Sequence, residues 1–400
     1  MKRIMIIAGE PSGDLHGGCL VTELKRMRPD LEIYGIGGDR MQAAGMELVY
    51  HISDFSFMGF AEVLGHLPFI RQAMKRLERL LAERRPEAVV LIDYPGFNLR
   101  FGAKAKRAGV KIIYFISPQV WAWGRGRVRR IRRLVDRMLC ILPFEEQFYR
   151  RLGVPAVYVG NPLLDEARPK LSREAFCRQQ GLSVSQPLVG LLPGSRRQEV
   201  EKILPVMLGA CQLLSEKQPS IQFALNLAPG FPPEPAVELI KRSGLKVALS
   251  TGQSYELMAH SDLVLVASGT ATLECGIIGT PMIIVYKTSW LSYFLGRMLV
   301  RVSYIGLVNL VAGKKVAPEF IQHEARPGAI FLMAQMLLAE GRPRQAVREE
   351  LARIPGLLGE PGAARRAADE VLDMLRSEKP LPDDQHFIRD PHKGDSKPSD

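Results

Sequence analysis

Apolar residues along this chain gather into short unbroken runs, split by amphipathic stretches and glycine turns. The runs at Arg3–Ala8, Ile33–Ile36, Ala88–Ile92, Lys111–Phe115, Arg137–Leu142 and Ala156–Val159 read as strands buried on both faces, the mark of a parallel sheet. Helical stretches at Leu15–Met27 and about Asn98–Ala108 lie between them. A second series follows at Leu188–Leu192, Ile221–Leu225, Lys246–Leu249, Leu263–Val266 and Met282–Val285. Its helices fall near Glu199–Lys217, Pro235–Ser243, Tyr255–His260 and Thr270–Ile278. This alternation predicts an α/β protein with two Rossmann-like, doubly wound parallel-sheet domains facing across a cleft. Gly160-Asn161-Pro162 and the polar stretch after it read as a linker. The expected domains are therefore 1–163 and 164–376, the second closed by C-terminal helices, with a polar, disordered tail over 377–400.

Ligands of such sheets sit beyond the carboxyl ends of the strands, so the loops there are the places to look for chemistry. After Leu263–Val266 comes Ser268-Gly269-Thr270, a turn into a helix start whose free N–H groups and dipole suit an anion. Glu274 lies one turn further on the same face, placed to bond a pair of ribose hydroxyls. Alone, the stretch is an ordinary N-cap with a helix glutamate. A second anion loop, Leu191-Leu192-Pro193-Gly194-Ser195-Arg196, shifts the reading toward a nucleotide diphosphate, with Arg196 as a bidentate clamp. Arg197 and Glu199 read as ordinary first-turn helix residues.

In the first half, Gly9-Glu10-Pro11-Ser12-Gly13-Asp14 lacks the GxGxxG spacing, which disfavours a nicotinamide or flavin site. Its glycines allow a sugar or phosphate close to the backbone, and Glu10 and Ser12, with Asn98, are candidate cleft residues on the acceptor side. Asp93 follows Val89-Val90-Leu91-Ile92 directly. A carboxylate at the mouth of a buried strand is partly desolvated and more basic, as a general base needs. The competing role is a cap on the following turn.

Composition narrows the partners. A net charge of +12 fits nucleic acid, an anionic membrane or phosphorylated substrates. Five scattered cysteines without a CxxC pair argue against a zinc site or a disulfide framework, and for a reducing cytoplasm. Trp290–Ala312 is the one candidate span, but Arg297 and Arg301 lie inside it, each costing roughly 2.5–3.5 kcal/mol at a bilayer centre. Arg125, Arg127, Arg129, Arg130, Arg132, Arg133 and Arg137 make seven arginines in thirteen positions. They lack the interleaved aromatics of a nucleic-acid module and suit anionic phospholipid or a sugar phosphate. Phe57–Leu64, running into Leu67, Phe69, Ile70 and Met74, holds more apolar side chains than one core stripe buries. Met74, Leu77 and Leu81 face the core by spacing. Met58, Val63, Leu64, Leu67, Phe69 and Ile70 are the expected membrane or acyl-chain surface.

The segments AGEPSGD (8–14), MGFAEVLG (58–65), IDYPGFN (92–98), SPQVWAW (117–123), LPFE (142–145), LLPGSR (191–196), ASGTATLE (267–274) and LVNLVAG (307–313) stand in order from about Ile4 to Ala312. Together they resemble the lipid-A-disaccharide synthase family of glycosyltransferases. The resemblance implies a GT-B architecture and a metal-independent, inverting transfer without cofactors. The donor would be UDP-2,3-diacylglucosamine, the acceptor 2,3-diacylglucosamine 1-phosphate, and the products a β-1,6 disaccharide and UDP. It implies Asp93 as the base, Gly194, Ser195, Arg196, Ser268, Gly269, Thr270 and Glu274 around UDP, and Asn309 lining the cleft. It further implies a peripheral place on the inner face of the cytoplasmic membrane, with dimers common. Two positions depart from the family pattern: Asn161, where histidine is common, and Val308, where proline is common. Rival readings are a UDP-N-acetylglucosamine epimerase or peptidoglycan transferase, a membrane adaptor, and, from charge alone, a nucleic-acid binder.

Overall fold

The computed structural model describes residues 2–55, 67–121, 128–288 and 303–376. Two parallel sheets organise it. The first contains β1 (Arg3–Ala8), β2 (Glu32–Gly37), β3 (Glu47–His51), β4 (Ala88–Ile92), β5 (Lys111–Phe115), β6 (Arg137–Cys140) and β7 (Ala156–Tyr158), in the order β3-β2-β1-β4-β5-β6-β7. The second contains β8 (Leu188–Leu192), β9 (Gln222–Leu227), β10 (Val247–Thr251), β11 (Leu263–Ala267), β12 (Met282–Tyr286) and β13 (Glu319–Ile321), ordered β10-β9-β8-β11-β12-β13. The central strands β4, β8 and β11 are buried along their whole length, as unbroken apolar runs require.

Each sheet reverses its strand order once, between β1 and β4 in the first and between β8 and β11 in the second. Crevices for ligands form at such reversals, where neighbouring connections leave in opposite directions. The loop bearing Glu10 and Ser12 follows β1, and Asp93 follows β4. Gly194, Ser195 and Arg196 follow β8, and Ser268 follows β11. Every candidate site loop thus leaves one of the two switch points.

The chain does not divide as simply as the sequence suggests. The helix Ala363–Arg376, grouped by sequence with the second domain, packs on the helix Pro11–Met27 of the first. Its Ala367, Ala368, Val371 and Leu372 enter the apolar cluster under β1, β2 and β4. Lys2 Nζ and Lys111 Nζ donate to the Leu375 and Met374 carbonyls at 2.6 and 2.7 Å.

The surface expected to meet acyl chains is partly internal. Met58, Val63 and Leu64 lie outside the described residues, and Leu67 begins the helix Leu67–Arg84. Phe69 and Ile70 pack against the first core. Phe69 meets Phe55 and Tyr50 edge-on, at ring distances of 5.3 and 5.7 Å. Aromatic packing engages Phe69, while Phe69 and Ile70 are both only partly buried against this core. Leu77 and Leu81 are buried as their spacing predicts, while Arg71, Lys75, Arg76 and Arg79 line one pocket together. In the arginine run, Arg125 and Arg127 fall outside the described residues, Arg130 donates to the Leu99 carbonyl at 3.0 Å, and Arg137 pairs with Glu370 at 3.5 Å. Among the described residues, no helix is long and apolar enough to cross a membrane.

Candidate active site

Asp93 stands on a backbone built around it. It has φ +42° and Tyr94 φ +43°, two consecutive left-handed residues without glycine, a conformation that persists only where its surroundings impose it. Three bonds impose it here. The Asp93 N–H donates to the Phe115 carbonyl at 3.1 Å. Its carbonyl accepts from the Tyr114 hydroxyl at 2.6 Å and from Asn98 Nδ2 at 2.8 Å. Asn98 is fully buried and also bonds the Ile92 carbonyl at 3.0 Å. Asn98 is therefore a support under Asp93, not a side chain lining the cleft. Gly9 completes the arrangement: a Cβ there would overlap the Tyr94 ring. Burial, then repulsion from Glu10, raises the Asp93 carboxyl to about 6, against the pull of His16. Its main perturbation is desolvation, as expected for a carboxylate at the mouth of a buried strand.

Glu10 and Ser12 are exposed at the start of the helix Pro11–Met27. Asp14, in the same motif, has another task. Its buried carboxylate accepts from the N–H groups of Gly38, Met41 and Arg40 at 2.7, 3.1 and 3.2 Å, capping the short helix Asp39–Ala43.

In the second unit, Gly269 begins the helix Thr270–Ile278 without a side-chain cap, and Gly269 and Thr270 are exposed. This leaves the positive end of the helix dipole open to an anion. Ser268 Oγ donates to the Ile305 carbonyl at 2.8 Å. Glu274 lies 3.3 Å from the Tyr255 hydroxyl, and burial lifts its carboxyl to about 7. On the neighbouring loop, Gly194 has φ +110°, where a side chain would be strained and would overlap Glu199. Arg196 extends from this loop with its side chain 79% exposed, 3.7 Å from Glu199. Glu199 is more than the ordinary first-turn residue expected: its Oε2 accepts from the N–H groups of Ser195 and Arg196 at 3.1 and 3.3 Å.

Asn309 does not line the cleft. It is fully buried and its amide is spent internally. Nδ2 donates to the Ala317 carbonyl and to Glu319 at 2.8 and 2.9 Å, while Oδ1 accepts from Val316 N and Ala317 N at 2.7 and 2.9 Å. Glu319 in turn accepts from Ile305 N and Gly306 N at 3.1 and 2.9 Å. Asn309 thus supports the segment that receives the Ser268 hydroxyl. Of the two departures, Val308 sits in the first turn of the helix Leu307–Ala312, where proline is equally at home. Asn161 is buried, bonded to the Ile141 carbonyl and to Leu163 N at 2.9 and 3.0 Å.

Polar side chains of the two halves also come together. His16, on the first helix, lies 3.3 Å from Glu166 on the linker helix Leu163–Glu166, and both side chains are largely buried. His16 acts to lower both Asp93 and Glu274, whereas Glu166 acts to raise Glu274. Among the described residues, no group of three or more His, Cys, Asp or Glu is arranged to hold a metal ion.

Two Rossmann-like units with their switch-point loops in one electrostatic neighbourhood define the GT-B class of glycosyltransferases and UDP-sugar epimerases. The UDP-GlcNAc 2-epimerase of Neisseria meningitidis, solved with UDP-GlcNAc, superposes with a TM-score of 0.65 at 14% identity, covering 93% of this chain and 100% of that one. A UDP co-structure of S. aureus MnaA gives 0.66 at 13% identity, over 95% and 99% of the two chains. These likenesses establish the fold. The lipid-A-disaccharide synthetase family model matches residues 4–357. The lipid-A-disaccharide synthase of Myxococcus xanthus is 44% identical over 373 residues, covering 93% of this chain and 97% of that protein. That of Geobacter metallireducens is 45% identical over 374 residues, covering 94% and 97%. The chain belongs to the lipid-A-disaccharide synthetase family and is a glycosyltransferase of lipid A biosynthesis.

Proposed function

We propose that the chain joins UDP-2,3-diacylglucosamine to the 6-hydroxyl of 2,3-diacylglucosamine 1-phosphate by in-line displacement, inverting the anomeric centre. Asp93 takes the proton of the acceptor hydroxyl as that oxygen attacks the anomeric carbon. The bond to UDP breaks, and Arg196 with the open helix end at Ser268–Thr270 takes up the charge gathering on the diphosphate. Glu274 bonds the ribose hydroxyls. The observation that carries the reading is the Asp93 carboxyl, raised to about 6 by burial at the switch point of the first sheet. At neutral pH such a group is ionised yet basic enough to accept a proton. The basic face of Arg71, Lys75, Arg76 and Arg79 supports docking on an anionic membrane surface on the cytoplasmic side.

The test is an assay in detergent with both lipid substrates, following UDP release and the disaccharide by mass spectrometry. Disaccharide formed by the wild type is the expected result. UDP release without disaccharide refutes the acceptor, and efficient turnover of water-soluble UDP-N-acetylglucosamine instead refutes the donor.

A further inference from the structure

Two motifs in the sequence have no part in the reaction as described so far: SPQVW (117–121) and LPFE (142–145). The fold joins them through one carboxylate. Glu145, on the helix Pro143–Arg151, is 1% exposed. Its Oε1 accepts from the Ser117 hydroxyl at 2.6 Å and from Trp121 Nε1 at 2.9 Å, and its Oε2 accepts from Leu142 N at 3.1 Å. One turn along, the buried Tyr149 donates its hydroxyl to the Pro118 carbonyl at 2.7 Å. Trp121 stands edge-on to Phe144, 5.0 Å between ring centres. The helix thus grips the loop at both ends and in the middle, and Gln119 is its exposed side chain.

The loop's position gives the grip its meaning. It follows β5, which pairs with β4 in register up to Ile92 and Phe115, so it leaves the sheet beside Asp93. Its entry is strained: Ile116 has φ +63°, a rare state for a β-branched residue. At its far end, Trp121 belongs to the apolar cluster that holds Leu163, Leu192 and Val266 of the linker and second unit. The loop therefore spans from the base to the donor half. Burial pushes the Glu145 carboxyl up to about 7, a cost that an apolar residue at this site would not carry.

We propose that Glu145 is a positioning residue for the transfer, fixing the Ser117–Trp121 loop as the wall of the acceptor subsite between Asp93 and the donor half. This rests on the transfer reading above. A glutamine in its place keeps the shape but turns one acceptor into a donor, so it cannot satisfy Ser117, Trp121 and Leu142 together. Steady-state kinetics at saturating donor, with UDP affinity by calorimetry and a thermal melt, test it. For Glu145→Gln the acceptor KM is expected to rise on the order of tenfold or more, with UDP affinity held within about twofold. Ser117→Ala should move the same parameter less, and adding it to Glu145→Gln should bring little further loss, because both act through one bond. Should Glu145→Gln fail to fold, Ser117→Ala and Trp121→Phe put the same question from the loop side, and unchanged acceptor KM in both overturns the proposal. A folded Glu145→Gln with unchanged acceptor KM, or with UDP affinity falling in parallel, also overturns it. Wild-type protein that makes no disaccharide overturns the transfer reading and this inference with it. Wild-type activity with an indifferent Glu145→Gln overturns this inference alone.

Discussion

The two ends of the candidate active site are made in opposite ways. Around Asp93 the backbone is over-determined: two left-handed residues are held by the Tyr114 hydroxyl, the Asn98 amide and the Phe115 carbonyl, with Gly9 making room for the Tyr94 ring. Around the second unit's helix end the protein leaves groups open. Gly269 caps nothing, Thr270 is exposed, and Arg196 reaches into solvent. A base must be placed to a fraction of an ångström before the substrate arrives. A diphosphate is drawn by long-range charge and can be met by side chains that settle on it. Rigidity thus falls where the base is proposed, adaptability where the nucleotide is proposed to bind.

Substitutions can break or sharpen this contrast. Asp93→Asn should lower turnover by about 10²–10⁴-fold while leaving UDP affinity nearly unchanged in calorimetry. The same variant should be no less stable. The carboxyl's folded value, about 6, exceeds its ordinary 3.8, so the folded state holds the extra proton between those values. The stability tied to this group then rises as pH falls through 6 toward 4. At neutral pH the amide removes the penalty of a buried charge, on the order of 1–3 kcal/mol, readable in a denaturant melt. Asn98→Ala, which touches no substrate, should lower turnover roughly 10–100-fold and stability by about 1–3 kcal/mol, because it strips partners from buried carbonyls. Normal turnover in that variant would mean the strained backbone needs no amide beneath it. Arg196→Ala should weaken UDP binding about tenfold with no change in the melt. Unaltered UDP affinity would remove it as the clamp. The smallest effect belongs to His16→Gln. The acid limb of kcat/KM, set near pH 6 by Asp93, should move upward by roughly half a pH unit or less, since a group that lowers Asp93 is lost. A downward shift would contradict the arrangement of charges at the seam.

What the sequence disclosed follows from range. The central strands were legible because burial on both faces writes an unbroken apolar run. β3 (Glu47–His51) and β13 (Glu319–Ile321) were not, because their short runs are only partly buried and mix polar with apolar residues. The places of Asp93, Arg196 and the Ser268–Glu274 turn at strand ends were legible too. The work of Asp14, Glu145 and Asn309 was not. Asp14 and Glu145 find partners 24 to 28 residues away, and Asn309 spends its bonds on a turn that no periodicity marks. A carboxylate bound to distant N–H groups looks, in a sequence, like any other. The packing of Phe69 on Tyr50 and Phe55 was hidden for the related reason that an aromatic cluster and a membrane anchor share a composition.

The helix Ala363–Arg376 lies across the first helix, with Val371 and Leu372 buried beneath β1 and β4. A ribosome delivers the first sheet long before this piece of its cover. For the time needed to translate some two hundred residues, at about 5–20 per second, the nascent first unit carries an uncovered apolar face where that helix will settle. Its completion is therefore a late, long-range event. A polypeptide cut short before residue 363 would leave that face bare for good, open to trigger factors, proteases or another copy of itself.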